Sequence, residues 1–185
     1  MNADGSGDVG ISTPTTAYLD TFSGDRLDPF WGIPFVTGSG VSMAQTNGHI
    51  EVSIPSSAVS DPAFGYISLG INPQCHLVGD FDIQVDYQLL SWPSPSGVNV
   101  DFDTFSTDFS DVHGMFVFDP GAGTGVSTHF PGPVNTFVPA PETSSSLRLT
   151  RIGSTLTAYR LGTNGWIALQ STTDTLSGQI AGPNG

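Results

Sequence analysis

Along residues 144–161 two runs of alternating apolar and polar residues meet at Gly153-Ser154, with no helix-like spacing between them. Alternation with a period of two sends successive side chains to opposite faces of a strand, and a Gly-Ser pair between two such runs suits a tight turn, so the stretch predicts a β-hairpin. Leu147, Leu149, Leu156 and Ala158 make its apolar face, with Leu149 and Leu156 expected to meet inside, while Arg148, Thr150, Thr157 and Tyr159 point the other way. Such a hairpin is barely stable alone and needs more strands beneath it. Residues 81–89 alternate most cleanly, with Phe81, Ile83, Val85, Tyr87 and Leu89 inward and Asp82, Gln84, Asp86 and Gln88 outward. Runs at 49–54, 64–69, 98–102 and 166–169 add shorter strands, and 114–118, apolar without alternation, predicts a central strand covered on both faces. The proline-rich stretch 119–143 predicts loop.

The picture is all-β: a two-sheet antiparallel sandwich over residues 18–185, preceded by an arm at 1–17 rich in Gly, Ser, Thr and Asp. A chain of 185 residues with 37% hydrophobic residues can bury one sizeable core. Charge changes the picture of partners. Four cations, all arginine, stand against 17 acidic residues and give a net charge of −13, which disfavours nucleic acid and anionic membranes. Cys75 is the single cysteine, so no disulfide forms within the chain, and no apolar run is long enough to span a bilayer. Lysine-free, Ser/Thr/Gly-rich composition suggests a secreted or cell-surface protein whose export signal has been removed.

A family resemblance rests on Asp20-Thr21-Phe22, Gly24, Leu27-Asp28-Pro29 and Trp31, followed much later by Leu147-Arg148-Leu149, Arg151, Thr157-Ala158-Tyr159 and the turn Asn164-Gly165-Trp166. This pattern resembles the concanavalin A-like lectin/glucanase sandwiches, especially the laminin-G-like jelly rolls attached to bacterial glycosidases. The resemblance covers about residues 18–182. It implies a jelly-roll fold whose outer sheet face or rim loops hold a polysaccharide or glycan. Asp82, Gln84, Asp86, Arg148 and Tyr159 fit such a face, and Trp92, in a Pro/Ser loop, fits a rim where an indole stacks on a sugar or plugs the sandwich edge. The resemblance also implies calcium pinning the first strand to the last, with Asp20 as the position that carries over and Asp25 and Asp28 nearby. Asp4, Ser6 and Asp8 alternate like the opening of a calcium loop, but Val9 and Thr15 stand where its glycine and closing carboxylate belong.

Catalysis lacks its parts in this reading. A glycosidase needs two carboxyl groups flanking the scissile bond, whereas Glu51 and Glu142 are isolated and Asp82 and Asp86 stand about 13 Å apart along one strand. No serine occupies a nucleophile elbow, Cys75 and His76 cannot face each other, and His49, His76, His113 and His129 have no zinc-site spacing. The leading expectation is a non-catalytic carbohydrate-binding or adhesive module. A self-assembling surface subunit comes next, because the family's returning last strand is missing after Gly185 and the arm, with Ile11 to Ala17, can supply a strand to another copy. A glycoside hydrolase-related enzyme is third.

Overall fold

The computed structural model describes residues 17–73, 76–92, 97–106, 112–130, 136–173 and 179–181. Among these there is no helix, hence none long and apolar enough to cross a membrane, and every strand pairing is antiparallel. Within the span that the sequence presents as one sandwich, the chain groups into two compact units, one of residues before position 75 and one of His76–Ala181.

The first unit holds β1 (Phe35–Thr37), β2 (Ser42–Thr46), β3 (His49–Ser53) and β4 (Ser68–Gly70), with β1 paired to β4 and β2 to β3. Asn47 and Gly48 close the β2–β3 hairpin with φ of 50° and 81°, the two positive values that a two-residue I′ turn demands and that Asn-Gly supplies cheaply. The expected strand at 64–69 shrinks to β4. Asp61 explains why: its carboxylate accepts the Ala63 N–H at 2.8 Å and its carbonyl the Gly65 N–H at 2.7 Å, so the chain turns before it can extend. Around Tyr18 no strand forms. Tyr18 stacks on Phe30 instead, 3.8 Å between ring centroids, and Trp31 lies edge-on to both.

The second unit holds β5 (His76–Val78), β6 (Phe81–Gln88), β7 (Asn99–Ser106), β8 (Val112–Phe118), β9 (Gly125–His129), β10 (Phe137–Pro139), β11 (Ser144–Ile152), β12 (Thr155–Gly162), β13 (Gly165–Thr173) and β14 (Gln179–Ala181). Six strands form one sheet in the order β10-β9-β8-β7-β14-β5, and four form another in the order β13-β12-β11-β6. Both sheets contribute to one hydrophobic cluster: Met115, Val117 and Val126 from the first, Leu147, Leu149, Leu156 and Ala158 from the second. All seven are at most 1% exposed. Thr128 of β9 donates its hydroxyl to the side-chain oxygen of Gln170 on β13, which satisfies two polar groups inside this core.

The hairpin stands as expected, turning at Gly153 with φ 59°. Its register differs in one respect: Leu149 sits opposite Ala158 and Leu156 opposite Arg151, so the two leucines share the inner face without pairing. Thr150 and Thr157, on the outer side, are nevertheless buried, at 6% and 9% exposure. Residues 119–143 are more ordered than their prolines suggest. They contain β9 and the three-residue β10, whose Pro139 lies at the end of an edge strand, where a missing N–H costs no ladder bond.

Candidate functional site

The alternation of β6 and β11 brings most of the expected ligand-binding residues to one outer face of the four-stranded sheet. Arg148 lies opposite Gln84 on one side and Tyr159 on the other, while Asp82 and Asp86 flank Gln84. These groups are largely used on one another. Arg148 grips Asp82 through two hydrogen bonds of 2.7 and 2.5 Å, and its guanidinium lies 5.6 Å from the Tyr159 ring centre and 5.4 Å from that of Trp166. Asp86 accepts from Ser146 at 2.6 Å and from Gln84 at 3.3 Å. The Arg148 hydrogen bonds outweigh burial and hold the Asp82 carboxyl below its usual range.

Trp166 belongs to this cluster, whereas the sequence offers it only as the aromatic after the Asn164-Gly165 turn and the start of a short strand; its position opposite Leu161 beyond the bulge at Ala158/Tyr159 turns its ring outward. Asp82 is 55% exposed, so its bond to Arg148 is a surface pair, and a double-mutant cycle with Asp82→Asn and Arg148→Ala is expected to give a coupling of about 0.5–1 kcal/mol at neutral pH. A depressed carboxyl pKa stabilises the fold above the unfolded value, so this coupling should be lost as acid protonates the Asp82 carboxyl. Coupling that persists in acid would mean that packing, not charge, joins the two.

A second outer face went unnoticed in the sequence. On the far side of the six-stranded sheet from its core, β7 presents Asn99, Asp101 and Asp103 in a row, β8 presents Gly114, Phe116 and Phe118, and β9 presents Ser127 and His129. The rings form a continuous ridge. Phe116 lies 4.2 Å from His129 and 5.0 Å from Phe118 between centroids, and Phe118 meets Phe137 of β10 edge-on at 5.3 Å. Asn99 donates to Asp101 at 2.5 Å.

Asp103 is the unusual member of this row. Gly114 separates it from His129 across three strands, and a Cβ at position 114 would collide with the Asp103 carboxylate and the Phe102 carbonyl, so glycine makes the room. The Asp103 side chain is only 12% exposed, its Oδ1 is enclosed without a hydrogen-bond partner, and His129 Nδ1 stands 3.7 Å away, beyond bonding distance. Burial first, and then the charge of Asp101, push the Asp103 carboxyl up to about 7. The signal available in the sequence was Asp101-Phe102-Asp103, two carboxylates on one face of a strand, but nothing local says that a glycine on the next strand encloses one of them.

The other expected residues stand apart from both faces. Trp92 is half-buried with its indole N–H enclosed and lacking a partner among the described residues, closer to a plug than to a displayed platform. Asp20 already accepts the Phe22 N–H at 2.7 Å and the Trp31 indole N–H at 2.7 Å, and Asp28 accepts the Phe30 N–H at 2.8 Å. Burial, together with the charges and hydrogen bonds of Asp20 and Asp28, raises the Tyr18 hydroxyl to about 12. Asp25 lines a small pocket of about 170 Å³ with Arg26, Met43 and Ile50. Among the described residues no three His, Cys, Asp or Glu side chains converge as a metal site. Asp4, Ser6, Asp8, the arm before Ala17 and Cys75 lie outside the described residues.

Comparison with protein-family models, with characterised proteins and with solved structures finds no match to this chain.

Proposed function

We propose that the protein is a secreted or surface-displayed, non-catalytic carbohydrate-binding module built as a two-sheet jelly-roll sandwich, and that it holds a polysaccharide against the outer face of β7–β10. The observation that carries this reading is the ridge of Phe116, Phe118 and Phe137 running beside Asn99, Asp101 and Asp103. Sugars present an apolar C–H face and a rim of hydroxyls, which an aromatic ridge and a row of planar hydrogen-bonding groups match together. The face over Arg148 fits less well, because its polar groups already satisfy one another. The resemblance to the concanavalin A-like sandwiches supports the same class of ligand and supplies calcium as a candidate cofactor.

A glycan array probed with and without calcium tests the reading, followed by Phe116→Ala and Trp166→Ala, one for each face. Binding lost with Phe116→Ala and kept with Trp166→Ala is expected. The reverse would move the site to the Arg148 face, and binding to no glycan would end the proposal.

One observation favours a second reading, hydrolysis of a glycosidic bond. Asp101 and Asp103 stand about 7 Å apart by strand rise, and the raised Asp103 carboxyl is the one of the two that could serve as an acid. Release of reducing ends from a polysaccharide panel, lost in Asp101→Asn, would establish it.

A further inference from the structure

The Asp103 carboxyl shows how the proposed site would be regulated, an inference that rests on the reading of this face as a polysaccharide site. A group on a binding surface is normally either exposed and charged or buried and paired. Asp103 fits neither case cleanly: it is 12% exposed, with Oδ1 enclosed over Gly114, no hydrogen bond to that oxygen among the described residues, and His129 Nδ1 at 3.7 Å as an ion-pair partner only when that ring is protonated. The described residues facing it are few. Asp101 lies two positions back on its own strand, Gly114 and Phe116 face it from β8 and His129 from β9, while β14 meets β7 only beside Phe105 and Ser106, through Ala181 and Ile180. Among the described residues Asp101 and His129 are therefore the titratable groups around it; the first disfavours a second negative charge, and the second, at 3.7 Å, is beyond hydrogen-bonding distance and favours the carboxylate only when its ring is protonated.

A polysaccharide chain lying along the ridge would remove the water that still reaches Asp103. Losing that water penalises the carboxylate and leaves the carboxylic acid unharmed, and the acid form can donate its O–H to a sugar hydroxyl or ring oxygen. We propose that Asp103 must be protonated for this face to hold its ligand, so that binding of an uncharged polysaccharide takes up one proton and releases it again as the pH rises. Burial and Asp101 place that proton near neutrality, the range in which a change of compartment or of the surrounding medium matters. The same chemistry selects against anionic chains, since Asp101 and a net charge of −13 repel uronates and sulfates at every pH above the carboxylate range.

The test measures affinity between about pH 5.5 and 8.5 for mixed-linkage β-glucan, galactomannan and xyloglucan as uncharged probes, with alginate as the anionic one. The association constant for an uncharged probe should be level below about pH 7 and then fall roughly tenfold per pH unit, the slope of one proton. Asp103→Asn, which has no proton to lose, should give a flat profile. In the unmodified protein the carboxyl carbon resonance of Asp103 should titrate at a higher pH with the probe than without it, a readout that needs no variant to fold. A flat wild-type profile, a slope that survives Asp103→Asn, or a carbon resonance that the probe leaves in place overturns the inference while leaving the glycan reading intact. Tighter binding of alginate than of every uncharged probe overturns the selectivity. Failure of all probes at all pH values overturns the reading of the face and the inference with it.

Discussion

Asp103→Asn is expected to become increasingly stabilising as pH rises, its advantage over the wild type growing by about 2–4 kcal/mol between pH 4.5 and pH 8. The sign follows from the two states of the chain. Unfolded, the carboxyl releases its proton near 3.9; folded, burial and the neighbouring Asp101 hold it to about 7. Between those values the folded chain binds more protons than the unfolded one, so stability falls as pH rises through the window and levels off above it. Asparagine keeps the shape and removes the ionisation. Below about pH 4 both proteins carry a neutral side chain and should differ little by this mechanism. Isothermal urea unfolding of both proteins across the range measures the difference directly, and a difference that stays constant with pH would show that Asp103 is charged and solvated in the folded protein. The measurement needs no ligand, so it tests the electrostatics of the site separately from what the site binds.

The two faces show what periodicity can and cannot reveal. Asp82, Gln84, Asp86, Arg148 and Tyr159 were legible because each lies at an alternate position of a strand whose other side is plainly apolar, and pairing β6 with β11 then leaves no choice about the face they share. Asp103 was not legible as a special carboxyl. Its environment comes from Gly114 and His129, 11 and 26 positions away, and is set by which strands become neighbours rather than by any local pattern. The apolar run 114–118 predicts a central strand, and it does lie between β7 and β9 with Met115 and Val117 at 0% exposure. The apolar character of its other side, Phe116 and Phe118, has a different cause: those rings build a half-exposed ridge instead of a second core. An apolar run without alternation is thus compatible with either outcome.

Prolines misled in the opposite direction. Residues 119–143 contain enough of them to suggest continuous loop, yet the stretch between Pro120 and Pro131 is free of proline and carries β9, with Val126 at 0% exposure. Asp119 prepares the entry by accepting the N–H groups of Gly121 and Gly123 at 2.7 and 3.1 Å, a turn built by a carboxylate before the chain straightens. Arg151 and Arg160 also escaped the binary pattern. Both lie on the inner side of the hairpin, opposite Leu156 and Leu147, where Arg151 is 8% exposed and Glu142 lies 3.7 Å from the Arg160 guanidinium.

The core itself gives the other large expected effect. Leu149→Ala should cost about 2–5 kcal/mol, because the side chain is 0% exposed between Ile83 and Ala158 and belongs to the cluster shared with Met115, Val117 and Val126. The lost methyl groups account for part of that figure and the cavity for the rest, and Ala158 across the ladder is too small to fill the space. Thr157→Ala, one residue away in the same pair of strands and 9% exposed, should cost under about 1 kcal/mol. Among the described residues its hydroxyl meets the Ser171 hydroxyl at 2.9 Å, and Ser171 is exposed enough to turn to water instead. Burial alone would rank these two residues together, so the contrast tests which side of the hairpin faces the shared core. Chemical denaturation of both variants decides it: comparable losses for the two would mean that the inner face of β11 and β12 is not the one that carries the leucines.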